Sequence, residues 1–132
     1  MATPEGLTKD AVRRAIKAAE DAGASIVHWM VIPASGTVGF PDFLILVNGA
    51  LLGVECKAAK EDGGKGATDK QLSTLDSIRA AGGHGMVVGG LESFALLCNV
   101  LAMLADVKFE HPYWRSQQVL NRRKPPPLKG KR

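Results

Sequence analysis

The dipeptide Asn48-Gly49, set between two apolar runs, is the feature that most constrains how this chain folds. The runs are Phe43–Val47 and Ala50–Val54. Asn-Gly favours a two-residue type I′ turn, because both central residues of that turn need a positive φ angle. A turn of that length fixes the register of an antiparallel hairpin and places Phe43 opposite Val54.

The same register predicts a pair of carboxylates at the open end of the hairpin. Asp42 is expected opposite Glu55, and alternation brings Lys57 to the same face. Opposed residues have Cβ atoms about 5 Å apart, so two carboxylates there repel each other unless a cation lies between them. Oxygen ligands of this kind suit Mg²⁺ or Mn²⁺, and carboxylates with a lysine beside such a metal suit attack on a phosphodiester. The alternative is a surface hairpin whose charged side chains are simply solvated.

Pro41-Asp42, followed by Glu55-Cys56-Lys57, resembles the signature of the PD-(D/E)xK nucleases. The wider context, GFPDF with a hairpin and then ECKA, is similar to the VRR-NUC branch of that superfamily, whose small stand-alone members occur in phages and bacteria. The resemblance covers roughly residues 4–104. It implies an α/β fold with a restriction-endonuclease-like core, in which helices flank a mixed β-sheet.

The resemblance also assigns roles to residues outside the hairpin. It implies that Glu5, near the head of the first helix, contributes to the metal site, with Glu20 at the far end of that helix as the lower-ranked alternative. It gives Gln71 a role in supporting the catalytic Lys57 or the scissile phosphate, although Thr68-Asp69-Lys70-Gln71 also fits a helix capping box, which alone explains the glutamine. The expected catalytic set is therefore Asp42, Glu55, Lys57 and Gln71, and the expected metal ligands are Glu5, Asp42, Glu55 and the carbonyl of Cys56.

Apolar periodicity and glycine breaks predict the other elements of one domain, residues 1–106. The predicted elements are a helix at Leu7–Ala22, a strand at Ser25–Ile32, a helix beginning after Thr68 and reaching Ala81, a strand at Met86–Val88 and a helix at Glu92–Ala105. The last helix is apolar nearly all round, so its outer side needs cover from the C-terminal segment or from a second subunit. A homodimer is expected on that ground and from the resemblance.

Charge is distributed unevenly along the chain. Residues 1–106 carry 9 Lys and Arg against 12 Asp and Glu, whereas residues 107–132 carry 8 against 1. A basic C-terminal tail of this kind favours a polyanion partner, although a solvated tail is the alternative. Trp114 within it either stacks on nucleic acid or anchors the tail to the core. Basic residues expected to contact DNA lie on the first helix, in the glycine-rich loop and in the tail: Lys9, Arg13, Lys60, Lys65, Arg115, Arg122, Arg123 and Lys124.

Other features narrow the class of protein. Met1–Asp10 has no apolar segment typical of a signal peptide, and no apolar stretch is long enough to span a bilayer, so we expect a cytoplasmic protein without membrane contact. Neither Cys56 nor Cys98 lies in a zinc-binding spacing. The loop at residues 58–67 lacks the phosphate-binding spacing of nucleotide sites, so no nucleotide cofactor is expected.

The sequence therefore predicts a Mg²⁺- or Mn²⁺-dependent DNA endonuclease. The resemblance favours a structure-specific enzyme similar to the homodimeric Holliday-junction resolvases. The alternatives are a flap or single-strand nuclease of the same superfamily, and a catalytically inactive DNA-binding accessory protein. A small metabolic hydrolase fits less well, because a small substrate does not require the basic tail.

Overall fold

The computed structural model describes residues 3–32, 38–59 and 66–114. Within these ranges lie three helices and four strands, in the predicted order. Their bounds are α1 Pro4–Asp21, β1 Ile26–Met30, β2 Phe43–Val47, β3 Ala50–Cys56, α2 Asp69–Ala80, β4 His84–Val88 and α3 Leu91–Ala105. The strands form one mixed sheet in the order β1-β2-β3-β4. The predicted α/β class is confirmed, and the arrangement is compatible with a restriction-endonuclease-like core.

The hairpin has the predicted register. Asn48 and Gly49 take φ angles of 52° and 88°, as a type I′ turn requires. Val47 pairs with Ala50 and Phe43 with Val54. This register brings Asp42, just before β2, close to Glu55, the last residue but one of β3.

Helix α1 begins earlier than its apolar pattern predicts. Thr3 is the N-cap, its Oγ1 accepting a hydrogen bond of 2.9 Å from the Gly6 N–H, and Pro4 lies in the first turn. A capping threonine followed by proline is favourable at a helix start. The earlier start places Glu5 inside the first turn, where a negative charge interacts favourably with the helix dipole.

The core lies between α1 and α3 and one face of the sheet. Inward-facing side chains of β2 and β3, including Phe43, Ile45 and Val54, pack there with Ile16 and Leu97. These residues are at most 1% exposed. The core therefore holds the hairpin against α1, the helix that carries Glu5.

Helix α2 packs on the opposite face of the sheet, over β3 and β4. Two glycines make this contact close. A Cβ at Gly53 would stand 2.8 Å from Ile78 Cδ1, and one at Gly85 would stand 3.1 Å from the Leu75 carbonyl oxygen. Because the strands carry no side chain at these points, α2 lies close enough for its first turn to reach the end of β3.

The segment that follows α3, up to Trp114, packs against the domain. Trp114 is 3% exposed, and its ring centroid lies 5.3 Å from that of Phe94 in α3. Arg14 of α1 donates a hydrogen bond of 3.0 Å to the Tyr113 carbonyl. Of the two roles considered for Trp114, the structure shows the core anchor.

The outer side of α3 remains open to solvent in the part of the chain that the structure describes. Leu91, Leu96 and Met103 are 57%, 54% and 67% exposed. The expected homodimer stays a prediction that this surface is consistent with. Within residues 3–32, 38–59 and 66–114, none of the helices has both the length and the apolar content needed to cross a membrane.

Candidate active site

Asp42 and Glu55 lie at the open end of the hairpin. The Asp42 carbonyl accepts a hydrogen bond of 2.9 Å from the Val31 N–H, which ties the residue to the chain leaving β1. Its side-chain Oδ2 accepts a hydrogen bond of 2.8 Å from the Cys56 N–H. The Asp42 side chain is 14% exposed and that of Glu55 is 2% exposed. Both carboxyl groups are therefore held largely out of water.

The two oxygens of Glu55 have different surroundings. Oε2 accepts a hydrogen bond of 2.6 Å from Gln71 Nε2 and lies 3.7 Å from Lys57 Nζ. Oε1 is buried and accepts no hydrogen bond from the residues that the structure describes, and the Asp42 carboxylate lies within hydrogen-bond reach of the Glu55 carboxyl group. A buried polar atom without a partner is costly, and such atoms are rare in folded proteins. Glu55 therefore presents one anchored oxygen and one available oxygen.

Gln71 forms the predicted capping box, and its side chain also reaches the site, where it contacts Glu55. Its backbone N–H donates to Thr68 Oγ1, and its side-chain Oε1 accepts from the Thr68 N–H, at 3.1 and 2.9 Å. These are the two hydrogen bonds of a capping box. The amide nitrogen of the same side chain remains for Glu55. The observed contact is with the carboxylate, so Gln71 orients Glu55, while Lys57 reaches the same oxygen from the other side.

A threonine that sequence reasoning missed joins α1 to the end of β3. Thr8 is fully buried, and its Oγ1 donates a hydrogen bond of 2.7 Å to the Lys57 carbonyl. The Lys57 N–H in turn donates to the Val88 carbonyl at 2.8 Å. Helical spacing places Thr8 one turn before Ala11 and Val12, on the apolar side of α1, so periodicity indicates its burial although it does not identify its partner. Its contact sets how close the first turn of α1 lies to the carboxylates.

Lys9, whose role as a DNA contact stays a prediction, lies among acidic residues in the structure. Its Nζ is 3.6 Å from Asp42 Oδ1 and 4.0 Å from Glu5 Oε2. The side chain of Lys9 is 26% exposed and that of Glu5 is 43% exposed. The Lys9 ammonium therefore lies between the Glu5 carboxylate and the Asp42 carboxylate.

The other predicted DNA contacts are not part of this cluster. Arg13 pairs with Asp10 on α1, and its Nη2 lies 3.1 Å from the Met30 sulfur. The predicted contacts Lys60, Lys65, Arg115, Arg122, Arg123 and Lys124 lie outside the described residues.

The site raises the pKa of Glu55 to about 8. Burial is the largest cause and the Asp42 carboxylate is the second, while Lys57 opposes them. Burial, followed by Asp42 and Glu55, also raises the pKa of the Cys56 thiol well above its ordinary value. The thiol is therefore held neutral. Only the N–H of Cys56 is seen in contact with the site, so its carbonyl as a metal ligand stays a prediction.

The donor chemistry at this point fits a hard divalent cation. Asp42 and Glu55 supply carboxylate oxygens, one of them buried and unpartnered, and Mg²⁺ needs only one or two such groups because it retains several waters. No three His, Cys, Asp or Glu side chains within the described ranges converge as a ready ligand set. The carboxylate pair therefore fits a cation that completes its coordination with water, backbone or substrate oxygens.

Comparison of the chain with protein-family models, with curated proteins and with solved structures found no significant match. The conclusions below therefore depend on the geometry of the site and on the resemblance of its motif.

Proposed function

We propose that this protein is a Mg²⁺- or Mn²⁺-dependent nuclease that hydrolyses phosphodiester bonds in DNA. The observation that carries the proposal is the buried Oε1 of Glu55, which accepts no hydrogen bond from the described residues. The carboxyl group to which it belongs lies beside the Asp42 carboxylate, and its other oxygen is 3.7 Å from Lys57 Nζ. Burial and a charge partner that together raise a pKa are typical of functional sites.

The charges around Glu55 favour a bound cation. Three acidic side chains, Glu5, Asp42 and Glu55, face two ammonium groups, those of Lys9 and Lys57. With Glu55 ionised, one negative charge is left without a partner, which agrees with the raised pKa of that residue. A divalent cation would remove this repulsion and leave the cluster with a small positive charge, suited to an anionic phosphodiester.

Each residue then has a distinct part in hydrolysis. Asp42, fixed by the Cys56 N–H, and Glu55, fixed by Gln71, would hold a cation, which would supply a water of lowered pKa and neutralise charge on the phosphate. Lys57 is 12% exposed and its backbone is hydrogen-bonded to Val88 and Thr8. Its ammonium would donate a hydrogen bond to a phosphate oxygen, or to the oxygen of the attacking water and so orient it. Gln71 acts through Glu55 and is a positioning residue.

DNA is proposed as the substrate because of the basic segment at residues 107–132 and the VRR-NUC resemblance. The resemblance favours branched DNA and a homodimer, since a two-fold pair of active sites suits the two strands cut at a four-way junction. Flaps and single strands are the nearest other substrates for the same active site.

The test is cleavage of a labelled four-way junction and a matched linear duplex, with Mg²⁺, with Mn²⁺ and with chelator. Paired nicks that require metal and are confined to the junction are the expected result. Asp42→Asn and Lys57→Met should each lower the cleavage rate at least 100-fold, in line with the loss of one charge-stabilising group. Lys17→Met is the matched control, because Lys17 is exposed and pairs with Asp21 on α1.

The outcomes separate the proposed function from its alternatives. Metal-dependent cutting of flaps or single strands would retain the active site and change the substrate. Tight DNA binding without cleavage under any metal, lost on removal of residues 115–132, which leaves the Trp114 anchor in place, would overturn the nuclease and favour the accessory protein. Because phosphate contacts release counterions, binding should weaken steeply as salt is added.

A further inference from the structure

Lys9 is placed where its charge acts on the candidate metal site. It lies one helical turn after Glu5 on α1, so the two side chains share a face. The Lys9 ammonium is 3.6 Å from Asp42 Oδ1 and 4.0 Å from Glu5 Oε2. One cationic group therefore lies between the acid of the first helix and an acid of the hairpin.

We propose that the Lys9 ammonium occupies the position of a second cation, so that the site binds one divalent ion per chain. This inference rests on the proposed function, because it concerns how many metal ions the same carboxylates take. Lys9 is a positioning residue in this account, and it holds Glu5 and Asp42 Oδ1 through charge.

The contacts of the Asp42 and Glu55 carboxylate oxygens support the proposal, because the Lys9 ammonium faces one of these oxygens and another remains open for a divalent ion. Asp42 Oδ2 is occupied by the Cys56 N–H, and Asp42 Oδ1 faces Lys9. Glu55 Oε2 is occupied by Gln71, which leaves Glu55 Oε1 as the buried oxygen without a partner. Asp42 Oδ2 has a second lone pair that, with Glu55 Oε1, can hold one divalent ion, while Glu5 and Asp42 Oδ1 already share an ammonium group.

The absence of a ready three-acid ligand set in the described ranges agrees with this arrangement. Glu5 is 43% exposed and meets the cluster at Lys9, rather than converging with Asp42 and Glu55 as a third ligand. Replacement of the ammonium by a neutral side chain would leave Glu5 and Asp42 with an unbalanced negative charge. A second divalent cation is the group that would restore that balance.

The experiment counts Mn²⁺ ions bound by the intact protein without DNA. Calorimetric titration gives the number per chain, and electron paramagnetic resonance distinguishes an isolated Mn²⁺ from a spin-coupled pair. The wild type should bind one ion with an uncoupled spectrum. Lys9→Met, which keeps most of the side-chain length, should bind two ions and show coupling, whereas Lys9→Arg should still bind one.

Two further variants test whether a second Mn²⁺ ion depends on Glu5 and on the loss of the charge at Lys9 in particular. Glu5→Gln introduced into the Lys9→Met chain should return the number to one, because the second ion then lacks its acidic ligand. Lys17→Met removes a lysine from the same helix at an exposed position and should leave the count unchanged.

Each outcome decides one of the two proposals. Two coupled ions in the wild type would overturn the role of Lys9 and leave the nuclease intact. One ion in both the wild type and Lys9→Met would also overturn it. No Mn²⁺ binding by the wild type would overturn the proposed function, and the inference about Lys9 with it.

Discussion

The buried carboxyl group of Glu55 lies beside Asp42, and this placement lowers the free energy of unfolding near neutral pH. Replacing Glu55 by glutamine keeps the shape of the side chain and an oxygen that accepts from Gln71, but removes the ionisable group. We expect Glu55→Gln to be more stable than the wild type near neutral pH in the absence of metal. The reason is that the folded protein must keep this carboxyl protonated or hold its charge out of water beside Asp42.

The sign and size follow from the two pKa values of the carboxyl. Its pKa is about 8 in the folded protein and about 4.5, the ordinary value of a glutamate carboxyl group, in the unfolded chain. Below pH 4.5 both states are protonated, and the carboxyl makes its full contribution to stability. As the pH rises towards 8, the unfolded chain loses this proton first and the wild type loses stability relative to Glu55→Gln. One pH unit corresponds to about 1.4 kcal/mol, so the difference at pH 7 reaches at most about 3 kcal/mol.

The assay is urea unfolding between pH 4 and pH 8.5 with chelator present, monitored by tryptophan fluorescence. The free energy of unfolding of Glu55→Gln minus that of the wild type should increase steadily from pH 4.5 to pH 8 and level off above it. Glu110→Gln is the matched control at an exposed position and should differ from the wild type by no more than about 0.5 kcal/mol at any pH. A Glu55→Gln difference that does not change with pH would refute the raised pKa and remove the electrostatic argument for a cation.

Three substitutions test the contacts that build the site. Thr8→Val removes the hydrogen bond to the Lys57 carbonyl and should lower the free energy of unfolding by about 1–3 kcal/mol, with Thr8→Ser as the control that keeps the hydroxyl. Gly53→Ala places a Cβ 2.8 Å from Ile78 Cδ1, the movable end of that side chain, and 3.2 Å from Pro41 Cγ, and should cost about 1 kcal/mol, part of which Ile78→Val should restore in the double variant. Trp114→Ala should cost about 3–5 kcal/mol, because that ring is 3% exposed in the core; a loss below 1 kcal/mol would show that the segment is not anchored. All are measured by urea unfolding.

The hairpin and the order of the elements were predictable because their determinants are local. Asn48-Gly49 specifies a turn type, the turn specifies a register, and the register brings Asp42 to Glu55 without information from the rest of the chain. The capping box at Thr68 and Gln71 is equally local. The helix start was less accurate, because the Thr3 cap lies outside the apolar pattern from which a start near Leu7 was inferred.

The contacts that complete the site depend on tertiary packing and were not predictable. The sequence shows Lys9, Arg13 and Lys17 as one basic stripe, yet Lys9 meets Asp42 while Arg13 pairs with Asp10 and Lys17 with Asp21. Which lysine of a stripe meets a carboxylate depends on the rotation of α1 over the sheet, and at the observed rotation Thr8 on the buried face donates to the Lys57 carbonyl just after β3. Periodicity places Thr8 on that face but does not identify the carbonyl to which it donates.

The same arrangement connects the stability of the fold with the chemistry proposed for it. Capping α2 requires the Gln71 oxygen and frees its amide nitrogen for Glu55, so the start of a helix also orients an acid. That acid destabilises the protein where its charge is unbalanced, because it is buried beside Asp42. A bound divalent cation would reverse the effect, since it binds the folded state and stabilises it by mass action. The carboxyl that lowers the stability of the metal-free protein is therefore the group through which metal binding would stabilise the fold.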